Sequence, residues 1–96
     1  MTVKIARLRP SGSHTSNASL SSAVTLTVPD GASGVLVQAI TQNIRYTLDG
    51  TVPTASLGFR LTAGDAPIMI PIEGATLKFI QETATATLQY QFVGNV

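Results

Sequence analysis

The sequence contains no cysteine, a single histidine and few charged side chains. Without cysteine there can be no disulfide bond, no cysteine-ligated zinc and no thiol chemistry. One histidine excludes a multi-histidine metal site within one chain. Charged residues make up 11% of the chain and the net charge is +1, against a charged share of about 25% in average globular proteins. Because the chain lacks a basic tract, it is not predicted to bind nucleic acid.

Long apolar runs and helical periodicity are also missing. No stretch approaches the roughly 18–20 apolar residues of a membrane span, and the first ten residues lack the apolar core of a secretory signal. No segment repeats apolar residues at helical spacing over three turns. The 96 residues provide one domain with a thin core. The sequence therefore predicts a single small domain that is neither helical nor inserted in a membrane.

Short segments in which apolar and polar residues alternate recur along the chain, separated by turn-forming pairs. The clearest are residues 23–28, 44–48 and 84–93, whereas residues 35–41 are almost continuously apolar, as in a central strand. Seven or eight strands at this spacing predict an all-β fold, either a small immunoglobulin-like β-sandwich or a partly closed barrel. The other predicted strands are residues 3–8, 58–61, 68–72 and 76–81.

The first part of the chain differs from the rest in composition. Residues 3–8 alternate and predict a short edge strand that ends before Pro10. Residues 10–22 contain six serines and no periodicity, which predicts an extended polar arm or loop. We therefore divide the chain into an N-terminal edge strand with its arm, residues 1–22, and a β-sandwich domain, residues 23–96. The candidate protein-contact residues in the first part are Lys4, Arg7, Arg9 and His14.

The predicted outer faces of the strands carry threonine and glutamine instead of charge. Lysine and glutamate, which commonly protect sheet edges, are scarce, and a net charge near zero favours association. Pro71 cannot donate to a strand ladder, so residues 68–72 are predicted to lie at an edge or a bulge. We expect this surface to contact other protein copies; the alternative is a monomeric, threonine-rich domain. The predicted outward residues are Thr25, Thr27, Thr47, Thr76, Thr85, Thr87, Gln89 and Gln91.

The histidine and the carboxylates, which are the candidate catalytic or metal-binding groups, are better explained by structural roles. His14 lies among serines in the arm, where a serine–histidine pair would lack the rigid third group that a hydrolase needs, so we expect a solvated loop residue. Four of the five carboxylates adjoin glycine, and three of them belong to the Asp–Gly or Gly–Asp pairs that tight turns favour; no calcium-binding acidic motif is present. We predict no catalytic residue, no metal, no cofactor and no enzymatic activity. The three carboxylates are Asp30, Asp49 and Asp65.

The most distinctive stretch is residues 44–56, IRYTLDGTVPTAS. Alternation directs Tyr46 and Leu48 toward the core, and the Asp49–Gly50 pair makes a turn. This stretch resembles a strand–turn–loop pattern of small immunoglobulin-like modules such as the C-terminal domain of chitobiases. The pattern is structural and names no catalytic residue. Side-chain bonds to the backbone would lock the loop through Pro53, Thr54 and Ser56.

A second resemblance covers residues 24–93. The segment GFRLTAGD at residues 58–65, the apolar residues 68–72 and the final strand ATLQYQFVG look like those of small tailed-bacteriophage virion proteins. This resemblance implies a non-enzymatic structural protein, a capsid decoration (cement) protein that is made in the host cytoplasm and binds the assembled head at the capsid surface. It further implies that the partners are the major capsid protein or other virion proteins, and that the protein is a homo-oligomer, with a trimer as the expected form.

Two alternatives stay open. Residues 44–56 would also suit a carbohydrate-binding module, which needs exposed aromatic rings. Core packing explains all five aromatic residues, however, and Arg45 and Arg60 should face away from the rings beside them, because neighbours in a strand point to opposite faces. The second alternative is another virion role, such as a fibre, a tail component or a head–tail connector. The aromatic residues are Tyr46, Phe59, Phe79, Tyr90 and Phe92.

Overall fold

The computed structural model describes residues 8–72 and 75–95 of the chain. These residues form eight strands in two antiparallel four-stranded sheets, which confirms the prediction of an all-β sandwich. The predicted strand at residues 3–8 lies outside the described residues except for Leu8. The strands are β1 (Leu8–Asn17), β2 (Val24–Thr25), β3 (Ala32–Ile40), β4 (Ile44–Thr47), β5 (Phe59–Leu61), β6 (Ile68–Pro71), β7 (Lys78–Gln81) and β8 (Thr87–Asn95).

The first four strands pair with the last four in reverse order. Strand β1 pairs with β8, β2 with β7, β3 with β6 and β4 with β5. Pairing of β3 with β8 and of β4 with β7 then joins these pairs into sheets of order β1-β8-β3-β6 and β2-β7-β4-β5. Alternate pairs therefore lie in alternate sheets, which is the strand order of a jelly roll. The immunoglobulin arrangement groups its strands differently.

The core lies between the two sheets and follows from strand alternation. In β3, Val35, Val37 and Ala39 point inward and are buried, and Leu88 in β8 faces the same core. Sheet β2-β7-β4-β5 contributes Phe79, which has no exposed surface. Burial of such apolar side chains is the main source of stability in a domain of this size.

The prediction of a loop over residues 10–22 is wrong for residues 10–17, which form most of β1. This segment has no periodicity of its own, and its partner β8 imposes the extended conformation. The side-chain amide of Gln91 donates to the carbonyl oxygens of Ser11 and Gly12, beside a register shift between Ser11 and Thr15. Gln91 thus adds side-chain hydrogen bonds to the backbone pairing that holds this serine-rich strand in the sheet.

All four edge strands carry a feature that hinders strand addition. Strand β1 contains Pro10 and the register shift, and β6 contains Pro71, which lies at an edge as predicted. The other two edges, β2 and β5, are two and three residues long. Proline, irregular pairing and short length protect an edge as charge does. The four sheet edges are therefore poorly suited to strand addition.

Hydrogen bonds show which connections share an end of the sandwich. The Ser33 carbonyl oxygen at the start of β3 accepts a bond from Ile72 N, just after β6, and Leu48 O after β4 accepts one from Thr76 N. The β2–β3, β4–β5 and β6–β7 connections therefore lie together. Antiparallel pairing puts the start of β1 and the finish of β8 there too. We call this the β4–β5 end.

We expect the removal of side-chain methyl groups to lower the free energy of unfolding more in the core than at the surface. Ile44 is fully buried, so Ile44→Val should lower the free energy of unfolding by about 0.5–1.5 kcal/mol. Val52 is 60% exposed, and Val52→Ala should change it by less than about 0.5 kcal/mol. Urea denaturation of both variants measures the difference, and equal losses would contradict this assignment of the core.

Candidate functional site

A concave surface lies at the β4–β5 end of the sandwich. It is a pocket of about 500 Å³, within the range of ligand-binding sites. Phe59 at the start of β5 is 63% exposed and Leu57 in the preceding loop is 50% exposed. Such large apolar side chains are normally buried. The apolar walls of the pocket, which we call the apolar patch, are Tyr46, Leu48, Leu57 and Phe59.

Three aromatic rings form a row that leads from the core to this pocket. Strand register places Tyr46 opposite both Phe79 in β7 and Phe59 in β5, so all three rings share one face of the sheet. The Tyr46 ring lies 5.6 Å from each of the other two, a distance typical of favourable aromatic pairs. Exposure rises from 0% at Phe79 to 63% at Phe59. The prediction that core packing explains every aromatic residue is therefore wrong for Phe59.

The loop before β5 is held by its own hydrogen bonds. The Thr54 hydroxyl oxygen accepts bonds from the backbone N–H groups of Ser56 and Leu57, at 3.2 and 3.0 Å. Thr54 and Leu57 also exchange backbone hydrogen bonds, and Pro53 is fully buried. The structure thus brings together three residues that the sequence assigned to a locked loop. This loop presents the Leu57 side chain to solvent on a fixed backbone.

Gly58 allows the loop to approach β4 closely. Its φ is +126°, and a Cβ atom at this position would lie 2.9 Å from the Tyr46 carbonyl oxygen, too close for a side chain. The Arg45 guanidinium donates from Nη1 to the Gly58 carbonyl oxygen at 2.9 Å. These contacts fix the backbone between Leu57 and Phe59, so both side chains project from a rigid frame.

Alternation at the end of β4 does not continue as predicted. Thr47 is buried instead of facing outward, and its hydroxyl donates to the Thr51 carbonyl oxygen. Leu48, predicted to face the core, is exposed and lines the pocket. Thr47 still belongs to β4 and pairs with Lys78, but the chain that returns at Thr51 covers its outer face. Leu48 follows the end of β4, where the chain turns at Asp49 and Gly50, so the two-residue period of a strand no longer applies to it.

One charged group lies at the pocket. Asp49 accepts a hydrogen bond at Oδ1 from the Thr51 N–H at 3.0 Å. Hydrogen bonds from Thr51, from its side chain first and then from its backbone, lower the pKa of the Asp49 carboxyl below its ordinary value. Asp49 is therefore ionised at neutral pH. Of the residues that line the pocket, Asp49 alone carries a charge, so the site combines apolar walls with a single anionic group.

The two arginines that adjoin Tyr46 and Phe59 in sequence lie on the opposite face of the sheet from the aromatic rings, as predicted. Arg45 and Arg60 each donate from Nε to Oε2 of Glu82, at 2.6 and 2.7 Å. Donation from Arg60, and then from Arg45, holds the pKa of the Glu82 carboxyl below its usual range, although partial burial opposes this shift. Both arginines are thus engaged in an ionic cluster that ties β4, β5 and the residue after β7 together.

Of the four predicted contact residues, Arg9 and His14 lie in the described part of the chain, and neither lines the pocket. Lys4 and Arg7 lie outside the described residues, and Arg9 is exposed in β1. His14, also exposed in β1, hydrogen-bonds the Gln89 side chain. It borders a separate pocket of about 270 Å³ on the outer face of the β1-β8-β3-β6 sheet, together with Leu36, Pro67 and Gln91 among others.

Within the described ranges, no group of histidine, cysteine and acidic side chains is arranged to hold a metal ion. This part of the chain also contains no helix that could cross a membrane. Comparisons with protein-family models, with curated proteins and with solved structures find no match to the chain. The interpretation of the site therefore depends on its own geometry.

The Glu82 cluster should make stability depend on pH. Because the folded-state pKa of Glu82 is lowered, its contribution is present above the unfolded-state pKa and is lost as the pH falls through the folded-state pKa. Glu82→Gln should lower the melting temperature near neutral pH, and the difference from wild type should shrink in acid. Thermal denaturation across this pH range measures it, with Asp65→Asn as a control for removing an exposed negative charge. A difference that stays constant down to strongly acidic pH would contradict the role of the cluster.

Proposed function

We propose that this protein is a non-enzymatic structural protein that packs against other proteins in an assembled particle. The apolar patch carries this proposal. A rigid loop and a sheet edge hold Leu57 and Phe59 in solvent, where their apolar surface stabilises the protein only when a partner covers it. Exposed apolar surface with aromatic residues, next to a polar surround, is typical of protein interaction sites.

The more specific form of this proposal is capsid decoration. The resemblance of residues 24–93 to small tailed-phage virion proteins supports it. Jelly rolls occur in viral capsid proteins, but also in lectins and cupins, so the topology is compatible with this role without selecting it. A protein that binds only the assembled shell would stabilise that shell by mass action. Its partners would be the major capsid protein or other virion proteins, together with further copies of itself.

The contacts of the polar groups support a non-enzymatic role. Asp49 is engaged by Thr51, Glu82 by two arginines and His14 by Gln89. Burial raises the pKa of the Tyr46 hydroxyl, which keeps it neutral at physiological pH. Each group has a structural partner or a packing role, and the described residues do not pair a nucleophile with a positioned base, as covalent catalysis requires.

Removal of the exposed ring should weaken association. We expect wild-type protein to self-associate or to bind source-virus particles that lack it, and Phe59→Ser to weaken this binding about tenfold or more, since buried aromatic anchors dominate interfaces. Ile68→Ser is the matched control, because Ile68 is 41% exposed but does not line the pocket. Light scattering with purified protein and with such particles measures both. A wild-type protein that stays monomeric and binds no particle would contradict the proposal.

The exposed Phe59 also favours a carbohydrate-binding module as the second candidate. Phe59 and Tyr46 provide an aromatic surface for the apolar face of a sugar, and Asp49 provides an acceptor for its hydroxyl groups. Under this alternative, a glycan array should give signals at millimolar ligand or below that disappear in Phe59→Ser and persist in Ile68→Ser. The absence of binding to any glycan would remove this candidate.

A further inference from the structure

We propose that the occupant of the apolar patch is the segment of residues 3–7 from a second copy of this chain. This inference rests on the proposed function, since it names the partner that covers the same surface.

The patch selects a partner that is apolar and basic. Its walls are the side chains of Tyr46, Leu48, Leu57 and Phe59, and its one charge is the ionised Asp49. An anionic segment would meet repulsion from Asp49. A lysine or arginine satisfies both parts of the site, because its aliphatic stem packs on apolar walls while its cation approaches the carboxylate and the aromatic faces.

Residues 3–7, Val-Lys-Ile-Ala-Arg, have this composition. They place Lys4 and Arg7 among aliphatic residues and contain no acidic residue. Three of the other four basic residues have partners elsewhere: Arg45 and Arg60 bind Glu82, and Lys78 donates to the Thr25 hydroxyl at 2.8 Å. The fourth, Arg9, belongs to β1. The chain therefore contains one short segment whose charge and hydrophobicity both complement the patch.

Leu8, which follows this segment, lies at the same end of the sandwich as the patch but on the other sheet and at a distant edge. Strand β1 begins at the β4–β5 end. Strands β8 and β3 separate it from β6, and β6 faces β5, since Leu61 and Ile68 border one cleft. Three strand spacings amount to about 14 Å, and the gap between sheets adds about 10 Å in the perpendicular direction. One residue extends the chain by at most about 3.6 Å, so Arg7, adjacent to Leu8, cannot reach its own patch. A patch that takes residues 3–7 as a unit, with both Lys4 and Arg7, therefore takes them from a second copy.

Charge substitutions on both sides of the contact test the proposal. Asp49→Asn keeps an oxygen that can accept from Thr51 N but removes the charge. Lys4→Gln combined with Arg7→Gln removes the complementary charges. Each change should weaken self-association about fivefold at low salt, and all three together should weaken it little more than either change alone, because both remove the same interaction. Sedimentation equilibrium measures these values, and Arg9→Gln is the matched control with an expected change near zero.

The outcomes separate this inference from the proposed function. If Phe59→Ser abolishes association while Lys4→Gln with Arg7→Gln has no effect, the patch binds another partner, and only the inference fails. If neither variant alters association, both proposals fail. A wild-type protein that binds particles through Phe59 but stays monomeric also overturns the inference, as does glycan binding at the patch without self-association.

Discussion

The pairing of β8 between β1 and β3 is the constraint on which the rest of the structure depends. This strand joins the last part of the chain to the first and holds a serine-rich segment in the sheet through Gln89 and Gln91. Its inward residues, among them Leu88 and Phe92, supply the core from the middle of the sheet. Because β1–β4 pair in reverse order with β5–β8, the contacts are mostly long-range in sequence, and no half of the chain can complete either sheet alone.

Local pattern therefore predicted some parts of the fold well and others poorly. It identified the all-β class and the edge position of Pro71, because alternation and proline chemistry are local properties. It missed residues 10–17 as a strand, since their extended conformation comes from a partner some seventy to eighty residues later in the chain, as in the pair Ser11 and Phe92. It also left the choice between sandwich and barrel open, because that choice depends on which strands meet.

The candidate site was missed for a related reason. Alternation correctly placed Phe59 and Arg60 on opposite faces of β5. It could not show how much of Phe59 the opposite sheet covers. Alternation misplaced Leu48 because it assumed that β4 continued past Thr47, and it could not show that the chain at Thr51 covers the outer face of Thr47. The loop motif at Thr54 and Ser56 was readable from sequence, because threonine and serine bond to nearby backbone within a few residues. Which side chains of the loop are exposed depends on how the strands and loops pack together at that end of the sandwich.

The scarcity of charge connects the fold to the proposed function. A chain with only eleven acidic and basic residues outside its histidine (six Lys and Arg, five Asp and Glu) uses three of them in the Arg45–Glu82–Arg60 cluster, on the face of the sheet opposite the aromatic rings. This arrangement removes both arginines from the pocket that their sequence neighbours line, and it leaves Asp49 as the only charge there. The four edges are hindered by proline, irregular register or short length, so they contribute little to association. Under the proposed function, attraction would be concentrated at one surface, where apolar walls surround a single carboxylate, and a partner would have to match both properties at once.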